Sequence, residues 1–166
     1  LSKIFESRNI EVYSFPLNHR VPTYGFLFRE KVPALNVVKS KIEEYHLTLK
    51  EIALLKNGQD VDRGDGVTLK ATEFTYRPFR PRSFAYCSDT APFKELATVV
   101  AGVDLLYHEA TFASDLESTA RATFHSTATD AALLAKEAGV KGLVIGHYSS
   151  RYSSVDHLKE EAQTIF

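Results

Sequence analysis

The sequence predicts a single α/β domain over residues 1–166. Two features carry this prediction. From about residue 83 onward, apolar runs typical of strands alternate with stretches of helical periodicity, and this pattern favours right-handed crossovers and a largely parallel sheet. Before that point, short extended runs alternate with polar turns. The chain is long enough to bury one hydrophobic core.

The first half of the sequence contains two predicted strands and two predicted short helices, at residues 11–17, 24–30, 37–45 and 49–56. Thr48 is placed to cap the second helix, and Gly58 follows its end. Residues 63–66 (RGDG) predict a plain turn. Residues 77–83 contain two prolines, which cannot donate hydrogen bonds to a sheet, so this segment predicts a connector or an edge.

The second half has a regular order of strand and helix. Strands are predicted at residues 83–88, 103–109 and 141–147, and helices at 90–100, 116–122, 126–137 and from Ser154 onward. Thr90 and Ser126 are the predicted N-caps of the first and third of these helices. Gly139 is placed to end the third.

Composition limits the class of function. The chain has 20 basic and 21 acidic residues and a formal net charge of -1, so its overall charge gives no argument for binding nucleic acid or membranes. No run approaches the roughly 20 apolar residues of a membrane span. The single cysteine, Cys87, cannot form an internal disulfide and is expected to be a small packed strand residue, which fits a cytoplasmic protein. The sequence begins at Leu1 and contains no methionine, so we expect it to be a piece of a longer protein.

Polar residues occur where the three strands of the second half end. Asp89 follows the first strand, His108 and Glu109 end the second, and His147 ends the third. The carboxyl ends of parallel strands share one edge of a sheet, where open α/β folds bind ligands. Histidine and carboxylate together suit a metal ion such as Zn²⁺ or Mn²⁺, and also general acid and base chemistry.

Each of these residues also has a purely structural interpretation. Asp89 could cap a helix, and a histidine at a strand end is often structural. Because three strand ends with such polar residues share one edge of the sheet, a functional site is favoured there. His19, in FPLNHR, and His125, in FHST, remain open between structural and functional roles. The surface is the expected place of His46 and His157. No nucleotide-binding glycine motif, nucleophile elbow or Cys-x-x-Cys motif is present.

Several motifs together resemble the ribonuclease Z family, the tRNA 3′-processing endonucleases of the metallo-β-lactamase superfamily. These motifs are FPLNHRVPTYGF, YCSDT, DLLYHEATF and FHSTATDAALLAKEAGVKGLVIGHYSSRY, which occur in the family's order over about residues 10–160. The resemblance implies a metallo-β-lactamase-like αββα sandwich, represented here mainly by its C-terminal half. It also implies a metal-dependent endoribonuclease that removes 3′ trailers from tRNA precursors.

The resemblance implies a role for each matching residue. His19 would bind the first metal, Asp89 would bridge both metals and His147 would bind the second. The full-length enzyme would hold two Zn²⁺ ions, with Mn²⁺ or Mg²⁺ as alternatives. Glu109 and His125 match the family's Glu-His pair, in which the histidine is thought to protonate the leaving 3′ oxygen or to stabilise the scissile phosphate. Because His108 alternates with Glu109 on a strand, we expect it outside the site.

Arg151, in GHYSSRY, would face substrate phosphate. The family's His-x-His-x-Asp-His signature does not occur in this sequence, so we expect an incomplete set of ligands and an inactive isolated chain.

Residues 31–66 occupy the place of the family's tRNA-gripping arm but lack its Gly-Pro element and mix lysine with glutamate, so they could be an ordinary helical insertion. A surface that normally packs on the missing half would be exposed, which favours a homodimer.

Two alternatives remain open at the level of sequence. One is another phosphodiesterase or hydrolase of the same superfamily that acts on small esters. The other is a non-catalytic RNA-binding half. The presence of His19, Asp89, His125 and His147 counts against it.

Overall fold

The computed structural model of the chain describes residues 1–64 and 66–166. These residues form two compact units. The larger unit contains Leu1–Glu30 and Arg82–Phe166, and the smaller contains Lys31–Pro81. The predicted insertion at residues 31–66 lies in the smaller unit, which continues to Pro81, and a single-domain organisation stays a prediction. The predicted turn at 63–66 includes Asp65, which lies outside the described residues.

The strands are β1 (Ser2–Glu6), β2 (Ile10–Pro16), β3 (Tyr24–Glu30), β4 (Asn36–Val37), β5 (Val61–Asp62), β6 (Thr68–Leu69), β7 (Thr75–Tyr76), β8 (Ser83–Cys87), β9 (Leu105–Glu109) and β10 (Leu143–Gly146). The helices are α1 (Lys39–Glu44), α2 (Leu49–Lys56), α3 (Ala71–Phe74), α4 (Glu95–Val99), α5 (Glu117–Thr123), α6 (Ala128–Glu137) and α7 (Asp156–Gln163), with a 3₁₀ turn at Ser114–Leu116.

A six-stranded sheet with the order β1-β2-β3-β8-β9-β10 organises the larger unit. The three strands predicted in the second half, β8, β9 and β10, are parallel. The strands of the first half pair antiparallel, so the sheet is mixed rather than largely parallel. Sequence reasoning missed β1, an edge strand whose residues are all exposed and therefore carry no burial pattern.

The two faces of this sheet differ in burial. Leu27, Ala85 and Leu106 lie on one face and are completely buried against α4 and α6. Tyr86, Leu105 and other apolar residues on the opposite face are partly exposed. The alternation of side chains along each strand produces this division.

The smaller unit has its own apolar cluster, which includes Leu55, Leu69 and Phe74. As predicted, Thr48 caps α2, where its side chain and that of Glu51 form a reciprocal capping box. The predicted helix at 37–45 begins only at Lys39, because the residues before it pair with β7.

Two predicted helix caps in the larger unit are wrong. Thr90 does not cap a helix, because α4 starts only at Glu95. The Thr90 hydroxyl instead accepts from the Asn18 N–H and donates to the Ala91 carbonyl. For α6, the cap is Thr127 rather than Ser126, whose hydroxyl donates to the Thr90 carbonyl over 2.6 Å. Across the residues that the structure describes, no helix is long and apolar enough to cross a membrane.

Candidate metal and catalytic site

The parallel strands bring four polar side chains to one edge of the sheet. Asp89 follows β8, Glu109 ends β9 and His147 follows β10, while His125 precedes α6. One potential ligand atom from each of these residues lies within 4.8 Å of the others. The strand endings that sequence analysis selected therefore meet in space, and the segment before α6 adds a second histidine to them.

Two residues of this group have a left-handed backbone. The φ angles are 57° at Asp89 and 60° at His147. Phe124, directly before His125, also has a φ of 60°. This region disfavours most residues other than glycine, although aspartate and histidine adopt it more readily than others, and residues held in it cluster at functional sites. The backbone thus turns sharply at both Asp89 and His147, at the points where β8 and β10 have ended.

Glu109 lies at the centre of the hydrogen-bond network and is completely buried. Its carboxylate accepts from the backbone N–H groups of Thr90 (2.6 Å) and Ser126 (3.1 Å). It also accepts from the Thr111 hydroxyl. The fourth donor is His125 Nδ1, which lies 2.9 Å from Oε1 and 3.1 Å from Oε2. With four donors on two oxygen atoms, this carboxylate is held rigidly and in turn orients the His125 ring.

Asp89 and His147 are the more exposed members of the group. His147 Nε2 lies 3.1 Å from Asp89 Oδ1, and the two side chains are 39% and 42% exposed. The other ring nitrogen, Nδ1, lies 2.9 Å from the Thr111 hydroxyl. An imidazole nitrogen and a carboxylate that face each other at an accessible sheet edge are suited to share a cation.

His19 lies beside the four-residue group but is not one of its members. Its Nδ1 is 3.0 Å from the Phe124 carbonyl, to which it donates. The His19 and His125 rings are 5.1 Å apart between centroids. His19 therefore contacts the segment that carries His125, and its role as a metal ligand stays a prediction.

Arg151 lies on the exposed side of the site. Its guanidinium carbon is 5.1 Å from the centroid of the Phe112 ring, and its Nε donates to the Ser149 hydroxyl over 3.1 Å. Phe112 in turn packs edge-on against His125, with 6.3 Å between ring centroids. The Phe112 ring thus contacts both the Arg151 guanidinium and the His125 ring.

His108 lies on the opposite face of β9 from Glu109, where it lines a cavity of about 380 Å³ between α4 and α6. Its Nδ1 donates to the Glu109 backbone carbonyl over 2.7 Å. Burial lowers the pKa of this histidine, so it is held in its neutral form.

Cys87 is also completely buried, and burial raises the pKa of its thiol to about 12, which opposes any nucleophilic role.

The donor set fits a divalent metal ion in part. Asp89 and His147 have accessible ligand atoms of the types that Zn²⁺ and Mn²⁺ accept. The Glu109 oxygens are already occupied by four donors, so Glu109 is better suited to hold His125 than to bind metal. Two ligands are fewer than a stable zinc site requires, and further ligands must complete the coordination.

Thr111 is the residue of the site that sequence analysis missed. It is 6% exposed, and its hydroxyl contacts Glu109, His125 and His147. The signal available was its position two residues after Glu109, which suggests the same side of an extended chain. A threonine carries no charge or metal-ligand preference, so it did not stand out.

Nearly the whole chain is similar to known proteins. Proteins named Ribonuclease Z from Porphyromonas gingivalis and Parabacteroides distasonis are 45% and 42% identical to this chain over 163 and 165 residues. These alignments cover 98% and 99% of the chain and 54% of each relative. A third, from Cytophaga hutchinsonii, is 45% identical over 158 residues, which are 95% of the chain and 50% of the relative. This chain is homologous to ribonuclease Z. It spans about half the length of the ribonuclease Z proteins that it matches, and no family model matches it.

Solved structures show the fold. The metallo-β-lactamase fold protein YhfI from Bacillus subtilis superposes with a TM-score of 0.61 at 17% identity, over 98% of this chain and 46% of that protein. Human tRNase Z, short form, gives 0.55 at 22% identity, over 90% and 39%. A long-form RNase Z from yeast gives 0.53 at 17% identity, over 87% and 14%. The predicted metallo-β-lactamase-like fold is confirmed.

Proposed function

We propose that this chain carries part of the active site of a metal-dependent endoribonuclease that removes 3′ trailers from tRNA precursors. The observation that carries the proposal is the meeting of an Asp89–His147 pair with a buried Glu109–His125 pair at one sheet edge. The homologous proteins named Ribonuclease Z support the same reaction class. Because the ligand set within this chain is incomplete, we expect the isolated chain to be inactive.

In this proposal, Asp89 and His147 hold metal ions, and His19 contributes a further ligand. The full-length enzyme would hold two Zn²⁺ ions, although Mn²⁺ and Mg²⁺ also suit such ligands. Bound metal would activate a water molecule and offset negative charge on the phosphate. The substrate is a precursor tRNA.

The chain's own residues would handle the leaving group. Glu109 accepts the His125 Nδ1 hydrogen and so directs the other ring nitrogen, Nε2, away from the carboxylate. When both ring nitrogens carry a hydrogen, Nε2 would donate its proton to the leaving 3′ oxygen, and the Nδ1 hydrogen would stay in the bond to Glu109. Arg151, whose side chain is exposed, would face a substrate phosphate.

The test compares two substrates in the full-length protein loaded with zinc. We expect cleavage of a precursor tRNA at the 3′ side of the discriminator nucleotide, with a kcat/KM far above that for bis-p-nitrophenyl phosphate. Equal or higher efficiency on the small diester would instead support a general phosphodiesterase of the superfamily. Binding of precursor tRNA without cleavage would support a non-catalytic RNA-binding half.

We also propose that the protein is cytoplasmic and that the isolated chain forms a homodimer. A single buried cysteine suits a reducing compartment. The partly exposed apolar face of the six-stranded sheet, which includes Tyr86, Leu105 and Val144, supports association with another copy.

A further inference from the structure

We propose that Thr111 is a positioning residue that links Glu109 to His147, so that one buried carboxylate keeps a hydrogen on Nδ1 of both histidines in the site. The link follows from hydrogen-bond geometry. Its catalytic consequence rests on the function proposed above, and the experiment separates the two.

The direction of the hydrogen bonds follows from the number of hydrogens. The Thr111 hydroxyl has one hydrogen, and a carboxylate can only accept, so this hydrogen is donated to Glu109. The same hydroxyl oxygen lies 2.9 Å from His147 Nδ1. Since the hydroxyl hydrogen is already used, His147 Nδ1 must carry a hydrogen and donate it to Thr111. The order of donation is therefore His147 to Thr111 to Glu109.

This direction determines the state of the other His147 nitrogen. A neutral imidazole with its hydrogen on Nδ1 has a lone pair on Nε2. Nε2 is the atom that lies 3.1 Å from Asp89, on the accessible side of the site. Thr111 thus orients the His147 ring so that Nε2, the nitrogen that can bind a cation, is directed toward Asp89. A ring held in this way also loses less rotational freedom when a cation binds.

The two histidines differ in how they are bonded to Glu109. His125 donates directly to Glu109, whereas His147 reaches the same carboxylate only through a neutral hydroxyl. Thr111 is itself held 3.4 Å from His125 Nδ1, and it is almost completely buried, so water does not compete for these bonds. Loss of the hydroxyl would leave His147 Nδ1 without a partner and leave Glu109 with one donor fewer.

The experiment compares Thr111→Val, which keeps the shape but removes the hydroxyl, with Thr111→Ser, which keeps the hydroxyl. Zinc affinity of the full-length protein is measured against a competing chelator. The ring ¹⁵N shifts of His147, recorded without metal, report its tautomer. We expect Thr111→Val to mix the His147 tautomers and to weaken zinc binding about 10–100-fold, as loss of a ligand-orienting partner typically does. Thr111→Ser should resemble the wild type in both measurements.

Two results would overturn the proposal. One is a Thr111→Val protein with an unchanged His147 tautomer and zinc affinity. The other is a Thr111→Ser protein that loses zinc affinity as strongly as the valine variant, because that would assign the effect to packing of the methyl group. If Thr111→Val does not fold, as judged by circular dichroism, Thr111→Ala replaces it as the variant without a hydroxyl, and the serine comparison still decides.

Precursor tRNA cleavage by the same proteins adds a separate readout. At saturating zinc, we expect Thr111→Val to lower kcat with little change in KM, since Thr111 is buried and does not reach the substrate. If the wild-type protein does not cleave precursor tRNA, the proposed function fails. The tautomer and zinc measurements would then still test the role of Thr111.

Discussion

Glu109 organises the contacts of the site from a completely buried position. The side chain is completely buried, which would disfavour an isolated carboxylate strongly. Four donors from three segments of the chain converge on it and compensate for the loss of water. The same bonds fix the position of His125. At this position, stability and orientation of the catalytic candidate therefore depend on the same contacts.

Glu109→Gln tests this dual dependence. A glutamine of the same size replaces one accepting oxygen with an NH₂ group, which would face a donor in a buried place. We expect the free energy of unfolding to fall by about 1–3 kcal/mol. Urea denaturation measures the change. The matched control is Glu160→Gln on the exposed surface of α7, for which the change should stay within about 0.5 kcal/mol. Equal stability of the two variants would contradict the proposed role of Glu109.

At the scale of elements, α6 holds the segment that carries His125. Thr127 and Asp130 form a reciprocal capping box at the start of the helix. Asp130 also pairs with Arg121 of α5, with distances of 2.8 Å to both carboxylate oxygens. The start of α6 is thus connected to the helix that ends just before His125.

Thr127→Ala should therefore lower the free energy of unfolding by about 1 kcal/mol, the usual effect of losing an N-cap side chain. Thermal or urea unfolding measures the change. Ser118→Ala, an exposed position in α5, is the control and should be close to neutral. A neutral Thr127→Ala would show that the cap does not contribute to holding this segment.

Elements with strong local signals could be predicted from the sequence. The strands of the second half, the capped helix at Thr48 and the helix that stops before Gly139 follow from periodicity and capping chemistry. Thr90 and Ser126 were misassigned because threonine and serine hydroxyls that bond across the fold look the same in sequence as those that cap a helix. Strand β1 lacks any buried residue, so no hydrophobic pattern marks it.

The candidate site was predictable where topology alone decides the position. Asp89, Glu109 and His147 follow or end parallel strands, and parallel strands share one edge. The contacts of His19 and Thr111 depend on how loops close on that edge. Such contacts join residues far apart in sequence, as for His19 and Phe124, so a local pattern does not reveal them.

At the scale of the whole molecule, His108 makes stability depend on pH. Burial lowers its pKa in the folded state below the unfolded value of about 6.5. The unfolded chain therefore binds a proton in a range where the folded chain does not, and stability falls as the pH drops below that value. We expect this residue to contribute a slope of up to about 1.4 kcal/mol per pH unit between the two pKa values.

His108→Asn tests this contribution, since its amide can still donate to the Glu109 carbonyl. Urea unfolding at pH 7 and pH 5 should show a smaller loss of stability in the variant than in the wild type. His46→Asn, at an exposed position, is the control and should retain the wild-type slope. Identical slopes for His108→Asn and wild type would contradict the effect.

Carboxylates with lowered pKa values, such as those of Asp130 and Glu161, lose their stabilising effect at lower pH, below about 4.

The partly exposed sheet face also has a consequence for the whole molecule. Leu105 and Val144 are 39% and 44% exposed on this face. If the chain associates through it, Leu105→Lys and Val144→Lys should shift the protein from dimer to monomer in analytical ultracentrifugation. The matched control is Leu133→Lys at an exposed position on α6, which should leave the mass in solution unchanged. A monomeric wild-type protein would contradict the proposed dimer.

The proposed function divides the site into two parts, in which Asp89 and His147 would bind metal while Glu109 orients His125 for proton transfer. The most direct measurement is zinc content together with precursor tRNA cleavage for His125→Ala in the full-length protein, with His157→Ala as an exposed control. We predict unchanged zinc content and cleavage slowed about 10²–10⁴-fold, the usual range for losing a general acid. Loss of zinc from His125→Ala, or cleavage at the wild-type rate, would contradict this division of the site.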